Sequence, residues 1–480
     1  MDPILLIHGY SSEGKDNKVE DIYGSLPADL RREFGAENVK DINLSRWISL
    51  SDGVALDDVS FAMDRALKEK FPELLEKGFH VIIHSTGALV VRNWIRKFSA
   101  KPSPINNLVH LAGANFGSGL AHIGQGQLSR WGRFIMGTGR GTRILDELEF
   151  GSWKTLDLHI SYLEKDNGMY DDFQVQEFCM NGSQTLGILR PVPIRYVKED
   201  SADNTVRTSA CNLNFNYIPV TPKEKAYNVH VEQLAALIED RLNNKRLEDS
   251  WYEFDLSGLC KNRTEIPFSV IYETAHYGED IGIVSGKDNR PDVMSLLKRA
   301  LETPYDRAAY GEAAQVFREA NKSTFDRAAK LKSTLLEWNK QEQYEGHAQL
   351  VFRLKDQFGN AVEHFDITLK SDTSDGKKNR LERMIEDKHV NKKDKGSIVF
   401  YLRTQKFDNK TWYELLPNVA PLDVEITGYE PLSGNISYLP LTIQLSGEQV
   451  KEILQSFRTT IIDITLVRLP SDHVFEITKV

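Results

Sequence analysis

Cysteine is scarce in this chain. Only three occur in 480 residues, Cys179, Cys211 and Cys260, without metal-ligand or redox spacing. A sparse, odd count favours reduced thiols over a disulfide framework, and with them a cytoplasmic place of synthesis. No apolar run is long enough to span a bilayer. A secretory leader is not expected either: Met1-Asp2-Pro3 passes straight into Ile4-Leu5-Leu6-Ile7, which has no basic flank and is too short for a signal core. The expected location is therefore cytoplasmic, with leaderless export left open. Basic excess is missing too, since 60 Lys and Arg face 69 Asp and Glu for a net charge of −9. Nucleic-acid partners need a concentrated basic surface and are not expected. The two basic clusters, Lys377-Lys378-Asn379-Arg380 and Lys392-Lys393-Asp394-Lys395, have acids between and within them and read as solvated loops or edges. Histidines and acids show neither H-x-x-x-H nor calcium-loop spacing, so no metal and no cofactor is expected.

What is present is an ordinary globular balance, 40% hydrophobic and 27% charged, in a chain long enough for two or three domains. The first part alternates short apolar runs with helical patterns, the mark of a parallel sheet covered by helices. Candidate strands are Ile4–His8, Val39–Leu44, His80–Ser85, Leu108–Ala112, Val175–Met180, Ile194–Val197 and Phe268–Tyr272. Helical spacing marks Val54–Phe71, where Val59, Met63, Ala66 and Leu67 share a face, and Val231–Asn243. Between Asn115 and about Asp166 repeated glycines punctuate Leu128, Trp131, Phe134, Ile135 and Met136. That length exceeds a plain connection and reads as a cap or lid insertion over residues 115–166. Its apolar residues suit either covering an acyl chain or packing as a small helical insertion. The expected division is an α/β domain over 1–290, a charged helical connector over 291–345, and an all-β, sandwich-like domain over 346–480. Strands at His347–Leu354, Glu363–Leu369, Ser397–Arg403, Leu422–Ile426, Leu441–Leu445 and Thr459–Arg468 carry the last of these.

The chemistry concentrates around Ser85. The run Phe79-His80-Val81-Ile82-Ile83-His84 reads as a buried strand, and Gly87-Ala88-Leu89-Val90-Val91-Arg92 as the start of a helix. A serine at such a turn is lifted clear of the sheet, and the helix N-terminus is aimed at developing negative charge. The usual elbow is G-x-S-x-G. Here Ile83 replaces the first glycine, so a β-branched side chain must find room or the turn must open. A serine hydroxyl is a poor nucleophile until an oriented base takes its proton. The best acids follow the Ile194–Val197 strand in a polar loop, with Asp203 ranked ahead of Asp200. The best base is His276, a few residues beyond the Phe268–Tyr272 strand. His84, next to the serine, is expected to point elsewhere. Two backbone N–H groups are needed for an oxyanion; Thr86 would supply one, and Tyr10, after His8-Gly9, the other.

Together, Ile4-Leu5-Leu6-Ile7-His8-Gly9-Tyr10, His84-Ser85-Thr86-Gly87, Asp203-Asn204-Thr205-Val206 and His276-Tyr277-Gly278 resemble the α/β-hydrolase superfamily, in its lipase-like branch. Asp203-Asn204-Thr205-Val206 resembles the D-G-T-V acid loop, with Asn204 in the turn position. Leu111-Ala112-Gly113-Ala114-Asn115-Phe116-Gly117-Ser118 resembles the loop where a bacterial-lipase cap begins. The resemblance covers about the first 290 residues. It implies acyl-ester hydrolysis of a lipid-like substrate, with a phospholipid among the possibilities, through an acyl-serine intermediate. In it Ser85 is nucleophile, His276 base and Asp203 orienting acid, with Tyr10 and Thr86 as oxyanion donors. Expected partners are a lipid or other acyl ester and, transiently, a membrane surface. A thioesterase or amidase on the same scaffold, or a hydrolase-fold binding protein without turnover, are the alternative functions.

Overall fold

The structure is a computed structural model that describes residues 2–8, 23–42, 53–119, 142–184, 199–244, 251–254, 256, 260–261, 264–332, 340–431, 434–471 and 474. The chain divides into two compact units. The first comprises Met1–Asn214, Asn262–His347 and Lys406–Tyr413; the second comprises Phe215–Lys261, Ala348–Gln405 and Glu414–Val480.

The first unit is built on a six-stranded sheet in the spatial order Val39–Ile42, Ile4–His8, Phe79–His84, Ile105–Leu111, Gln176–Gly182 and Phe268–Ile271. Every neighbouring pair in this sheet is parallel. Parallel strands are covered on both faces and so read as continuous apolar runs. Phe79–His84 is buried along its whole length, as is Gln176–Gly182. The strand order reverses between Ile4–His8 and Phe79–His84, and open α/β sheets bind ligands beyond the carboxyl ends of strands at such a switch point. Ser85 follows one of these two strands directly.

Helices Leu56–Lys70 and Gly87–Phe98 are tied together by buried polar contacts. Ser60 donates to the Val90 carbonyl at 3.0 Å, and Asn93 donates to Ser60 Oγ at 2.9 Å. The region expected as a connector is instead part of this unit's core. Helices Arg290–Glu302 and Arg307–Ala328 bury Val293, Leu296, Leu297, Ala300, Tyr310, Ala313 and Phe317 in one cluster with Ile4, Leu6, Ile82, Val109 and Phe178 of the sheet. Asn107 of the sheet donates to the carbonyls of Ala300 and Thr303, satisfying the first helix's C-terminal end. Asp306 caps the second helix by accepting from the Ala309 N–H at 2.9 Å.

The candidate insertion is partly described. Residues 120–141 lie outside the described residues, as does the expected strand Ile194–Val197. Beyond them, helices Thr142–Leu148 and Trp153–Ile160 are folded, with Leu148, Leu156 and His159 buried. Tyr162 donates to the Arg92 carbonyl at 2.5 Å. This described portion is packed structure of the first unit.

The second unit is β-rich, as expected, but begins earlier in the chain. Strand Asn216–Pro222 pairs in parallel with Thr459–Leu466, setting Ile218 opposite Ile462 and Val220 opposite Ile464. The segment 215–261 thus leaves the α/β domain assigned to it and joins the C-terminal strands. The main sheet runs Ile385–Val390, Ser397–Arg403, His347–Asp356, Thr459–Leu466, Asn216–Pro222, Tyr252–Glu253, with Cys260–Lys261 also on Asn216–Pro222. A three-stranded antiparallel sheet, Phe365–Ser371, Leu422–Gly428 and Leu441–Leu445, has alternating burial along its last two strands. Phe352, Leu354, Leu402 and Ile462 of the first sheet share one core with Val424, Ile426, Leu441 and Ile443 of the second. Two sheets over a common apolar layer is the sandwich arrangement. Among the described residues no helix is long and apolar enough to cross a membrane.

Candidate active site

Ser85 takes φ +55°, in the left-handed region that non-glycine residues rarely occupy. The turn is held from both sides. The Ser85 N–H donates to the Leu111 carbonyl at 3.3 Å, and the Ser85 carbonyl accepts from the N–H groups of Ala88 and Ala114, each at 3.2 Å. Thr86 precedes helix Gly87–Phe98, so its N–H belongs with the first helical donors, which have no partner inside the helix. Ile83 does find room: it is fully buried in register between Ile7 and His110. The departure from the glycine pattern leaves a strand, turn and helix around Ser85.

His276 Nε2 lies 3.1 Å from Ser85 Oγ, and His276 Nδ1 lies 2.8 Å from Asp203 Oδ2. A carboxylate oxygen accepts, so Nδ1 carries the proton and Nε2 presents its lone pair to the serine hydroxyl. Asp203 is fully buried, and its other oxygen accepts from the Thr205 and Val206 N–H groups at 3.1 and 2.7 Å. This turn needs a residue at φ +73°, and Asn204 supplies it, since asparagine tolerates that region far better than a branched residue. The Asn204 side-chain oxygen also accepts from the His276 N–H at 3.3 Å. Asp200 is engaged elsewhere, accepting from Gln343 at 3.1 Å.

The histidine loop passes close over the end of strand Gln176–Gly182. A Cβ on Gly182 would stand 2.0 Å from the Thr274 carbonyl oxygen, so only glycine admits the loop there. Ser85, His276 and Asp203 are thereby brought together from three separated segments, and Thr86 stands beside them. Tyr10 lies outside the described residues. The His84 side chain packs on His276, with ring centroids 4.5 Å apart. The sequence signal for that contact was simply a histidine one residue before the serine.

A second buried polar group lies behind the site. Arg92, on the helix that follows Ser85, approaches both Glu177 oxygens at 2.5 Å, and His110 Nε2 lies 3.1 Å from the same carboxylate. Burial would raise the Glu177 pKa, but the Arg92 charge and the His110 hydrogen bond outweigh it and hold it down to about 2. Burial pushes the His110 pKa down despite Glu177, leaving a neutral ring whose Nε2 donates. Among the described residues no cluster of three or more His, Cys, Asp or Glu is placed to hold a metal ion.

A parallel sheet with a switch point, a strained serine at a strand-to-helix turn, and acid and base on later loops define the α/β-hydrolase fold. Among solved structures, the chain is similar along its whole length to phospholipase PlaB from Legionella pneumophila, with a TM-score of 0.77, 22% identity and 96% of that chain covered. The same phospholipase in complex with thio-NAD gives a TM-score of 0.76 at the same identity and coverage. No protein-family model matches the chain, and no curated protein sequence does. The likeness to PlaB extends over both units and shows a shared fold.

Proposed function

We propose that the protein is a serine hydrolase that cleaves a lipid-like acyl ester, with a phospholipid as the leading substrate class. The observation that carries this reading is the Ser85–His276–Asp203 relay, with contacts of 3.1 and 2.8 Å, at a serine held at φ +55°. The lipid class is supported by the full-length likeness to a phospholipase. In this reading Ser85 Oγ attacks the acyl carbon while its proton passes to His276 Nε2. Asp203 holds the ring's tautomer and stabilises the imidazolium that forms. The tetrahedral oxyanion is met by the N–H groups of Thr86 and Tyr10. Collapse transfers the proton from Nε2 to the leaving alkoxide and leaves an acyl-serine. Water, deprotonated by His276, then releases the acid and restores the serine. The substrate is met at a membrane surface, and the contact is transient.

The test is mass spectrometry of phospholipid and neutral-lipid mixtures incubated with wild-type protein and with Ser85→Ala. Wild type is expected to release free fatty acid that the variant does not. Ester turnover undiminished in Ser85→Ala would remove the assignment. Turnover confined to thioesters or amides would keep the mechanism and change the substrate class.

A further inference from the structure

We propose that His84 is a positioning residue for this reaction, clamping the base loop onto the nucleophile's own strand. The inference rests on the reading of Ser85, His276 and Asp203 given above. His84 is the last residue of strand Phe79–His84 and directly precedes Ser85, yet its side chain is buried with 8% of the residue exposed. Its Nε2 lies 3.2 Å from the main-chain carbonyl oxygen of His276. A carbonyl oxygen only accepts, so His84 carries its proton on Nε2 and donates it there. The two imidazole planes are tilted by 39°, with centroids 4.5 Å apart. The His84 ring also meets the Tyr23 ring edge-on at 6.4 Å, and Tyr23 is fixed by donating to the Ile7 carbonyl at 2.8 Å.

These contacts complete the anchoring of His276. Its N–H donates to the Asp203 carbonyl at 2.9 Å, and its Nδ1 faces Asp203 Oδ2, so both tie the base to the acid turn. The bond from His84 to the His276 carbonyl ties it to the residue next to the nucleophile. The 3.1 Å separation between His276 Nε2 and Ser85 Oγ is thus spanned by a second path through one side chain. Misplacing a reacting group by about 1 Å costs on the order of 100-fold in rate, so loss of this clamp should act on the chemical step.

Three variants separate the ring from the donor. His84→Phe keeps an aromatic ring and loses the hydrogen bond, His84→Gln keeps a side-chain N–H at similar reach, and His84→Ala loses both. The readouts are kcat and KM on a p-nitrophenyl acyl ester and the downfield proton resonance of His276 Nδ1–H. Expected are a kcat about 100-fold lower in His84→Ala and at least about tenfold lower in His84→Phe, with KM within about twofold, and recovery to within about tenfold in His84→Gln. The downfield resonance should move or broaden in the first two and persist in the third. Wild-type kcat and an unmoved resonance in His84→Phe, whatever its melting temperature, would overturn the proposal; if His84→Ala does not fold, the Phe and Gln pair decides alone. A fluorophosphonate separates the two readings: wild type that fails to label at Ser85 overturns the triad reading and this one with it. Labelled wild type with unaffected His84 variants overturns this one only.

Discussion

Two polar clusters of the first unit each set a histidine against a carboxylate, and they differ in what lies beyond the histidine. His276 faces Asp203 through Nδ1 and leaves Nε2 aimed at a partly exposed serine hydroxyl. His110 faces Glu177 through Nε2, and Arg92 closes the group within a fully buried layer of sheet and helix. The first cluster sits at strand ends on turns with positive φ, at Ser85 and Asn204. The second sits within regular strands and the helix after the serine, where the backbone is already satisfied. A histidine–carboxylate pair moves a proton in one setting, in the mechanism proposed above, and holds strand and helix together in the other. The difference lies in access and in the third partner.

The largest effects should fall on the open cluster's chemistry. Ser85→Ala and Asp203→Asn should each lower kcat for ester hydrolysis by on the order of 10⁴-fold or more. Ser85→Ala should keep a melting temperature close to wild type, since alanine keeps the Cβ and leaves the φ +55° turn as it is. Loss of fold with loss of rate in that variant would erase the contrast. Glu177→Gln should do the reverse. Breaking a buried pair from one side leaves Arg92 uncompensated, and denaturant unfolding should show a loss of about 3–5 kcal/mol. An unchanged midpoint would mean the sealed cluster holds nothing in place.

Acid should separate the groups as well. The folded-state pKa of His80 is pushed down by burial, against the pull of Asp2, to about 4. Its unfolded form binds a proton below about 6.5, so its contribution is intact above that pH and is lost as pH falls toward 4, by at most about 3 kcal/mol. Glu177, with its folded value near 2, contributes stability above about pH 4.5 that fades as pH falls through 2. Unfolding free energy should therefore decline in two stages on acidification. His80→Phe should flatten the first stage, and Glu177→Gln the second. The smallest effect is expected for Asn204→Gly, which keeps the φ +73° turn and loses one 3.3 Å bond to His276. Its kcat should stay within about threefold and its stability within about 1 kcal/mol.

That Ser85, His276 and Asp203 meet was legible in the sequence, because a nucleophile, acid and base need fixed residue types in a set chain order. Asp203 was separable from Asp200 by the likeness of Asp203-Asn204-Thr205-Val206 to an acid turn, with Asn204 in the turn position. The His84 contact was not legible, because it depends on how a loop 192 residues away lies over the elbow. The helices of 290–328 were read as helical, but their charged outer faces hid that they pack into the first unit's core, where Val293, Leu296, Leu297, Ala300 and Leu301 form the buried side. Strand Asn216–Pro222 was missed because Pro219 and Pro222 demote such a run to an edge or loop, and its partner is remote in sequence. Both misses moved domain boundaries and left the site untouched.

In the proposed mechanism Ser85 is a nucleophile activated by His276. This is tested most directly by treating folded wild-type, Ser85→Ala and His276→Ala proteins with a fluorophosphonate and mapping the adduct by peptide mass spectrometry. Expected are one adduct, on the peptide containing Ser85, in wild type, none on that peptide in Ser85→Ala, and strongly slowed labelling in His276→Ala. An unlabelled Ser85 in folded wild-type protein, or labelling as fast without His276, would contradict it.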